Sequence, residues 1–250
     1  MRKCLVTVGV ALALGAVQFA SATAVEFTAS GAQPADVQGA VDAFRAALAP
    51  SGPHFEINWD GVPDSKAAPN LMPFDQFKAR GVLFATPGSG FEISAKAGNP
   101  TGTPVEFGDI TGGLRNQFQA FSPQRLFTAL DSAVTLTQFV VPGSNTLATS
   151  NAFGSVFTNV TKEGLTTIDY LDASGRSLHT QVVPASKRGG LSFAGTFFSQ
   201  GEQVSTVRIT SGNVELDREV GLIPNPRGDD PVDVVVMDDF IYAAPQAAAQ

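Results

Sequence analysis

The segment Ile168-Asp-Tyr-Leu-Asp-Ala-Ser-Gly-Arg-Ser-Leu178 reads as the end of one strand, a tight turn and the start of another. Asp172-Ala-Ser-Gly175 ends on the residue that adopts positive φ without steric cost, and an Asp at its start can bond back onto the turn backbone. Thr166–Leu171 and Ser177–Val183 are therefore expected to pair as an antiparallel hairpin. The same pattern continues outward in both directions. Short runs of Val, Ile, Phe and Thr are separated by Gly, Pro, Asn and Asp at intervals of about ten residues, the pattern of an antiparallel sandwich or barrel. The expected strands are Gly81–Ala85, Phe91–Ala95, Val105–Phe107, Ala133–Val141, Ala152–Thr158, Thr166–Leu171, Ser177–Val183, Gly190–Phe198, Val204–Thr210 and Val232–Tyr242. In Val204–Thr210, Val207 and Ile209 share one face while Arg208 and Thr210 share the other, as a half-buried strand requires.

Ahead of these strands lies one helical pattern. Val37, Val41, Phe44 and Leu48 recur at helical spacing, Pro34 suits the first turn, Asp36 complements the positive end of the dipole, and Pro50 follows as a stop. The spacing predicts a helix over 34–48. At the N-terminus, Met1-Arg2-Lys3, the apolar run Leu5–Val17 and Ala22-Thr23-Ala24 have the layout of a cleaved secretory signal. The expected organisation is thus a signal peptide over 1–24, cleaved near Ala24, an N-terminal segment over 25–53, one β domain over 54–243, and a flexible tail over 244–250. The protein is expected to be exported, to the periplasm or beyond the cell.

The full chain has 250 residues and a formal net charge of −7. Removing 1–24 takes away Arg2, Lys3 and the single Cys4, leaving 226 residues, no thiol and a net charge of −9. An acidic chain without basic clusters does not suit nucleic acid, which is bound by Lys and Arg displacing phosphate counterions. No later stretch approaches the ~20 apolar residues of a membrane span. Without a mature cysteine, and with two His, thiol catalysis, disulfides and thiolate zinc sites are excluded. The nineteen Phe are expected to form most of the core.

Phe153–Phe157, Ile168–Leu178, Leu191–Phe197, Val207–Ile209 and the closing Val234-Val-Val-Met-Asp238-Asp239-Phe240 together resemble the second half of a jelly-roll domain of the galactose-binding or carbohydrate-binding-module type. The chain also resembles a group of exported bacterial proteins to which no activity is attached. That resemblance is carried by Ala40–Leu48, Ile57–Asp64, Phe121–Leu130, Ile209–Asn213 and Val234–Tyr242. It implies an all-β jelly-roll β-sandwich with one short N-terminal α-helix.

Jelly rolls of the resembled type hold a structural calcium between an early segment and an acidic residue of the last strand. The matching positions are Asp60 and Asp64 in Trp59–Asp64 and Asp238 or Asp239 in the last strand; because alternate strand residues face opposite ways, one of that adjacent pair is expected to point inward. Asp229, Asp230 and Asp233 read as a solvated acidic loop. No catalytic residue is assigned. His54 and His179 lack a prepared serine nucleophile, and Glu92 and Glu106, on neighbouring expected strands, are the weak pair a glycoside hydrolase would use. Asn159-Val-Thr161 matches a glycosylation sequon. For ligand binding, Trp59 is the best aromatic platform, with anchoring of its own loop as the competing role, and Arg115, Gln124 and Arg125 can line a polar groove. These features suggest a non-catalytic module binding a polysaccharide or a cell-surface component, with calcium as its structural ion. A structural or adhesive envelope protein is the alternative, and a polysaccharide hydrolase the third reading.

Overall fold

The computed structural model describes residues 23–224 and 232–248; the expected signal peptide up to residue 22, and Asp229 and Asp230, lie outside them. The chain begins with β1 (Ala24–Gly31), α1 (Pro34–Leu48), β2 (His54–Ile57), β3 (Val82–Ala85) and β4 (Gly90–Ile93), then makes a long excursion over 94–126. It continues through β5 (Phe127–Leu130), β6 (Val134–Phe139), β7 (Ala148–Thr149), β8 (Ala152–Thr158), β9 (Thr167–Leu171), β10 (Ser177–Val182) and β11 (Leu191–Phe198). It closes with β12 (Thr206–Thr210), β13 (Val214–Asp217), β14 (Gly221–Pro224), β15 (Val236–Ala243) and β16 (Gln246–Ala247).

Two sheets face one another. The larger runs β1-β11-β8-β15-β5-β13-β14, with β2 also on β15 and β4 on β5; the smaller runs β10-β9-β12-β6-β3. Within them β5-β15-β8-β11 and β6-β12-β9-β10 interleave so that the first strand of this set pairs with the last, the last with the third and the third with the sixth. In the other sheet the second pairs with the seventh, the seventh with the fourth and the fourth with the fifth. This is the jelly-roll order, two Greek keys wrapped into a sandwich. The remaining strands extend its edges. The expected hairpin is β9–β10, with Gly175 at φ +82° and Asp172 Oδ1 accepting from the Ser174 and Arg176 N–H groups.

Twelve of the eighteen Phe among the described residues are buried. Most of the rest of the inter-sheet core is Val, Ile and Trp59, and it includes Val82, Phe84, Phe139, Ile168, Val207, Ile209 and Phe240. A second apolar layer lies on the far side of the large sheet, where the Val37, Val41, Phe44 and Leu48 stripe of α1 packs on Ala152, Val156, Leu191, Phe193 and Ile241. The large sheet is therefore covered on both faces, and β8 and β15 are buried at every position. This explains why Val234–Tyr242 is almost continuously apolar rather than alternating. The excursion builds a third cluster from Phe107, Ile110, Leu114, Phe118 and Leu126 against Leu130, Leu216 and Val236.

Several boundaries differ from the sequence expectation. Val105–Phe107 is not a strand: Glu106 and Phe107 have φ of +54° and +59°, and Val105 makes a single bridge to Ala95. Gln246–Ala247, in the segment read as a tail, pairs with Ala148–Thr149. Ala24–Gly31 forms a full edge strand on β11.

Gly154 and Gly195 lie opposite each other in the β8–β11 register. A Cβ on Gly154 would come within 3.0 Å of Gly195 Cα, the Phe193 ring and the Phe44 ring, so this glycine pair makes the shallow seat into which α1 lowers Phe44. Gly154→Val is expected to cost roughly 1–3 kcal/mol by overpacking, measured as a lower midpoint in urea denaturation. An unchanged midpoint would contradict this seating.

Candidate functional site

The aspartates singled out in the sequence meet at one loop, Phe121-Ser-Pro-Gln-Arg125, where the excursion returns to the sandwich. Asp238 Oδ2 accepts from the backbone N–H groups of Phe121 at 2.6 Å and Ser122 at 3.2 Å. Asp239 Oδ1 accepts from Ser122 Oγ at 2.5 Å. Asp60 Oδ1 accepts from the N–H groups of Gln124 and, at 2.9 Å, of Arg125. Asp64 holds the Arg125 guanidinium, which also donates to the Ser94 carbonyl at 2.8 Å. The four carboxylates form a latch that ties the early Trp59–Asp64 segment and the last strand to one loop.

Strand alternation predicted that one of Asp238 and Asp239 would face inward. Both are buried, at 0% and 3% exposure, and both bond Ser122. The cause is a break in the β15–β8 register between Met237 and Phe240; a bulge adds a residue and lets consecutive side chains depart from strict alternation. Burial, reinforced by each other's proximity, pushes the Asp238 carboxyl well above the usual carboxylate range, and burial also raises Asp239. Burial raises Asp60 as well, opposed by the Gln124 and Arg125 N–H groups.

This donor set does not fit calcium, which needs oxygen ligands converging on the ion. The carboxylate oxygens here face N–H, hydroxyl and guanidinium donors. Among the described residues no group of three or more His, Cys, Asp or Glu is placed to hold a metal ion. The joining of early segment to last strand that calcium was expected to perform is made instead by hydrogen bonds.

Trp59 is an anchor, not a platform. It is 1% exposed, stacks on Phe127 at 4.2 Å and 7°, meets Phe240 edge-on at 5.0 Å, and donates Nε1–H to the Asp238 carbonyl at 3.0 Å. Its ring has no free face for a sugar. Arg125, also 1% exposed, is out of reach of a ligand. Gln124 is exposed at the latch, and Arg115 stands apart from it beside a cleft of about 300 Å³ shared with Lys96, Asn99 and Asn116. Glu92 is fully buried against Arg218, and Glu106 lies in the irregular excursion, so the two do not form a pair across a groove. Asp233, read as solvated, is buried and accepts from Thr161 and Lys162. Asn159 is 5% exposed, its side chain spent on the Val234 carbonyl and the Gly189 N–H, which takes the sequon out of reach.

The cleft that sequence reasoning missed lies on the small sheet. Among the described residues no helix covers its outer face. A cleft of about 660 Å³ there is lined by Val134, Thr167, Asp169, Arg208, Thr210 and Glu215, with Ser132, Gly212 and Asn213 at one end. Arg208 donates from Nε at 2.9 Å and from its terminal nitrogen at 2.6 Å to Asp169 Oδ2, and Thr180 Oγ1 donates to the other carboxylate oxygen. Arg208 and Asp169 sit directly opposite in the β12–β9 register. The alternation of Val204–Thr210 already placed Arg208 and Thr210 on the outer face; what it lacked was the neighbouring strand. A second cleft of about 530 Å³ between α1 and the latch is lined by Arg45, Glu56, Arg80, Ser122 and Asp239, but Arg45 is already bound on both of its sides by Glu56 and Asp42.

Asp238→Ala would strand two backbone N–H groups at the latch. A cost of about 2–5 kcal/mol is expected, read by chemical denaturation, whereas chelator or added calcium should leave the melting temperature of the wild-type protein where it is. A calcium-dependent rise would overturn the hydrogen-bonded reading of these aspartates.

No protein-family model matches the chain, and no curated protein does. Among solved structures, the chain is similar in part to the CBM22-1 xylan-binding domain of Paenibacillus barcinonensis Xyn10C, at 15% identity over 54% of this chain and 80% of that one, with a TM-score of 0.25. It is also similar in part to the enzymatically active domain of tailspike protein 4 of bacteriophage CBA120, at 10% identity over 72% of this chain and 21% of that one, with a TM-score of 0.30. At these TM-scores neither likeness bears on what this chain binds.

Proposed function

We propose that this is an exported, non-catalytic binding module for a polysaccharide, which it holds in the cleft across the outer face of the small sheet. One observation supports the reading above the others. The open face of the sandwich presents a polar cleft, large enough for a small-molecule or sugar segment, with a guanidinium and a carboxylate side by side and threonine hydroxyls on either flank. A sugar offers adjacent hydroxyls, each both donor and acceptor. Beyond the N–H groups that Arg208 donates to Asp169, its guanidinium keeps terminal N–H donors for a sugar hydroxyl, and Asp169 keeps lone pairs that can accept from another; such charge-assisted bonds are the strong ones.

None of the outward residues on β6, β9 and β12 is aromatic: they are Val134, Leu136, Gln138, Thr167, Asp169, Leu171, Thr206, Arg208 and Thr210. Recognition is therefore by hydrogen bonding, with Leu136 and Val134 offering apolar contact to ring C–H groups, and not by stacking. Export rests on the N-terminal signal layout, and the acidic balance of the chain argues for a neutral glycan over a polyanion.

Affinity electrophoresis through gels containing soluble neutral polysaccharides tests this. Retardation is expected in at least one gel, and Arg208→Ala, which is half exposed and remote from the core, is expected to weaken binding about 10–100-fold, the range for a hydrogen bond to a charged group. Absence of retardation across neutral and acidic polysaccharides would instead favour a structural or adhesive envelope protein.

A further inference from the structure

Glu92 belongs neither to the latch nor to the cleft. It sits on β4 at 0% exposure and faces Asp109, which the excursion brings down between Phe107 and Ile110 of the third apolar cluster. The two carboxyls are in hydrogen-bonding contact, yet Glu92 Oε1 and Asp109 Oδ1 are both buried and neither has a donor. Arg218, just beyond β13, supplies the positive charge: its Nε donates to Glu92 Oε2 at 2.7 Å and its terminal nitrogens to the carbonyls of Pro69, at 2.8 Å, and Asn70. Two acidic groups and one cation leave a charge uncompensated around a fully buried Glu92 and a half-buried Asp109, and burying an unpaired charge is unfavourable. One hydrogen shared by the two carboxyls removes the excess charge and gives the pair the donor it lacks.

We propose that Glu92 and Asp109 hold a single proton between them, and that this shared proton is a clasp fastening the 94–126 excursion to the sandwich, released when the proton is lost. Asp109 and Arg218 are the charged groups that bear on Glu92; Glu106, in the same excursion, adds another buried oxygen without a donor. The excursion is the part of the chain poised to respond. Apart from one single-residue bridge it has no strand pairing of its own, and Glu106, Phe107 and Asn116 all have positive φ, conformations that persist only where the surroundings enforce them.

The direction of the response follows from linkage. Burial, then Asp109, pushes the Glu92 carboxyl up to about 7 from its ordinary value, and burial raises Asp109 too. A group whose folded value is raised stabilises the closed state fully below its free value and loses that contribution as pH climbs through the folded one. The clasp is therefore fastened in acid, loosens progressively as pH climbs from the ordinary carboxyl range toward about 7, and gains nothing from the shared proton above that.

Hydrogen exchange read by mass spectrometry on the full chain, corrected for intrinsic rates, tests this between pH 5.5 and 8.5. Peptides covering 104–114 are expected to lose protection as pH rises from 5.5 to about 7, by up to tenfold per pH unit, the limit for one linked proton, and to level off above it, while peptides from β8 and β11 keep theirs. Glu92→Gln keeps a donor at the joint at every pH and should hold 104–114 protected throughout. A flat wild-type profile, a loss shared equally by β8 and β11, or an undiminished pH dependence in Glu92→Gln would each overturn the proposal. If Glu92→Gln does not fold, Asp109→Asn is read in the same way, and the wild-type comparison of 104–114 with β8 and β11 decides by itself.

Discussion

Everything near the front of this molecule depends on carboxylates carried by a strand that water does not reach. β15 runs through the middle of the large sheet with the inter-sheet core on one side and α1 on the other, and it nevertheless carries Asp238 and Asp239. Burying two adjacent acids in such a place is tolerable only if donors are delivered to them. The donors are the N–H groups of Phe121 and Ser122 and the Ser122 hydroxyl, so the return path of the 94–126 excursion is dictated by what β15 must satisfy. Asp60 and Asp64 repeat the arrangement from the opposite side on Gln124 and Arg125. Trp59, between them and the core, then has one position available, against Phe127 and Phe240 with its N–H on the Asp238 carbonyl.

The two sheets have divided their roles. The large sheet is sealed on its outer side by α1, whose Phe44 rests on Gly154 and Gly195, and it serves as the rigid slab of the domain. Among the described residues the small sheet has no such cover, so its outward side chains remain available, and on β6, β9 and β12 these are threonine, glutamine, valine, leucine and one arginine–aspartate pair rather than aromatic rings. His179 on its edge strand reaches Glu26 of β1 at 2.6 Å, which ties the rims of the two sheets together without obstructing that face. A surface of this kind suits a ligand recognised by many directed hydrogen bonds of modest strength.

The acids buried at the joints share a sign. Asp60, Asp238, Asp239, Glu92 and Asp109 all have carboxyls shifted upward, chiefly by loss of water. At the latch the N–H groups of Phe121 and Ser122 oppose that shift, yet the Asp238 carboxyl still stands well above the ordinary range. At Glu92 and Asp109 the Arg218 guanidinium opposes it, with backbone N–H groups also acting on Asp109, and both carboxyls remain raised. Both joints thus rest on acids that loss of water pushes toward the protonated form, and they differ in the donors that oppose it, backbone and hydroxyl groups at the latch and chiefly a guanidinium at Glu92.

Much of this was legible in the chain because the signals are local. The helix over 34–48 follows from its four-residue apolar stripe, the β9–β10 hairpin from Asp172 and Gly175, and β8 from its residues and flanking breakers. Local reading failed where a distant segment set the conformation. Phe127–Leu130, quoted within a longer motif, was not recognised as a strand because it is buried at all four positions and so shows no alternation. Val105–Phe107 has strand composition but bends through positive φ. Strict alternation put one of Asp238 and Asp239 outward, and the bulge that turns both to Ser122 arises from pairing with β8. The sequence by itself determined the fold class, the helix and which residue types would be buried, since period and turn chemistry act over a few neighbours. Only the tertiary structure decided that the four aspartates would grip a loop and not an ion, that Trp59 would be an anchor, and that Arg208 would meet Asp169 on an open face, because each depends on which donor a remote part of the chain brings within 3 Å or so.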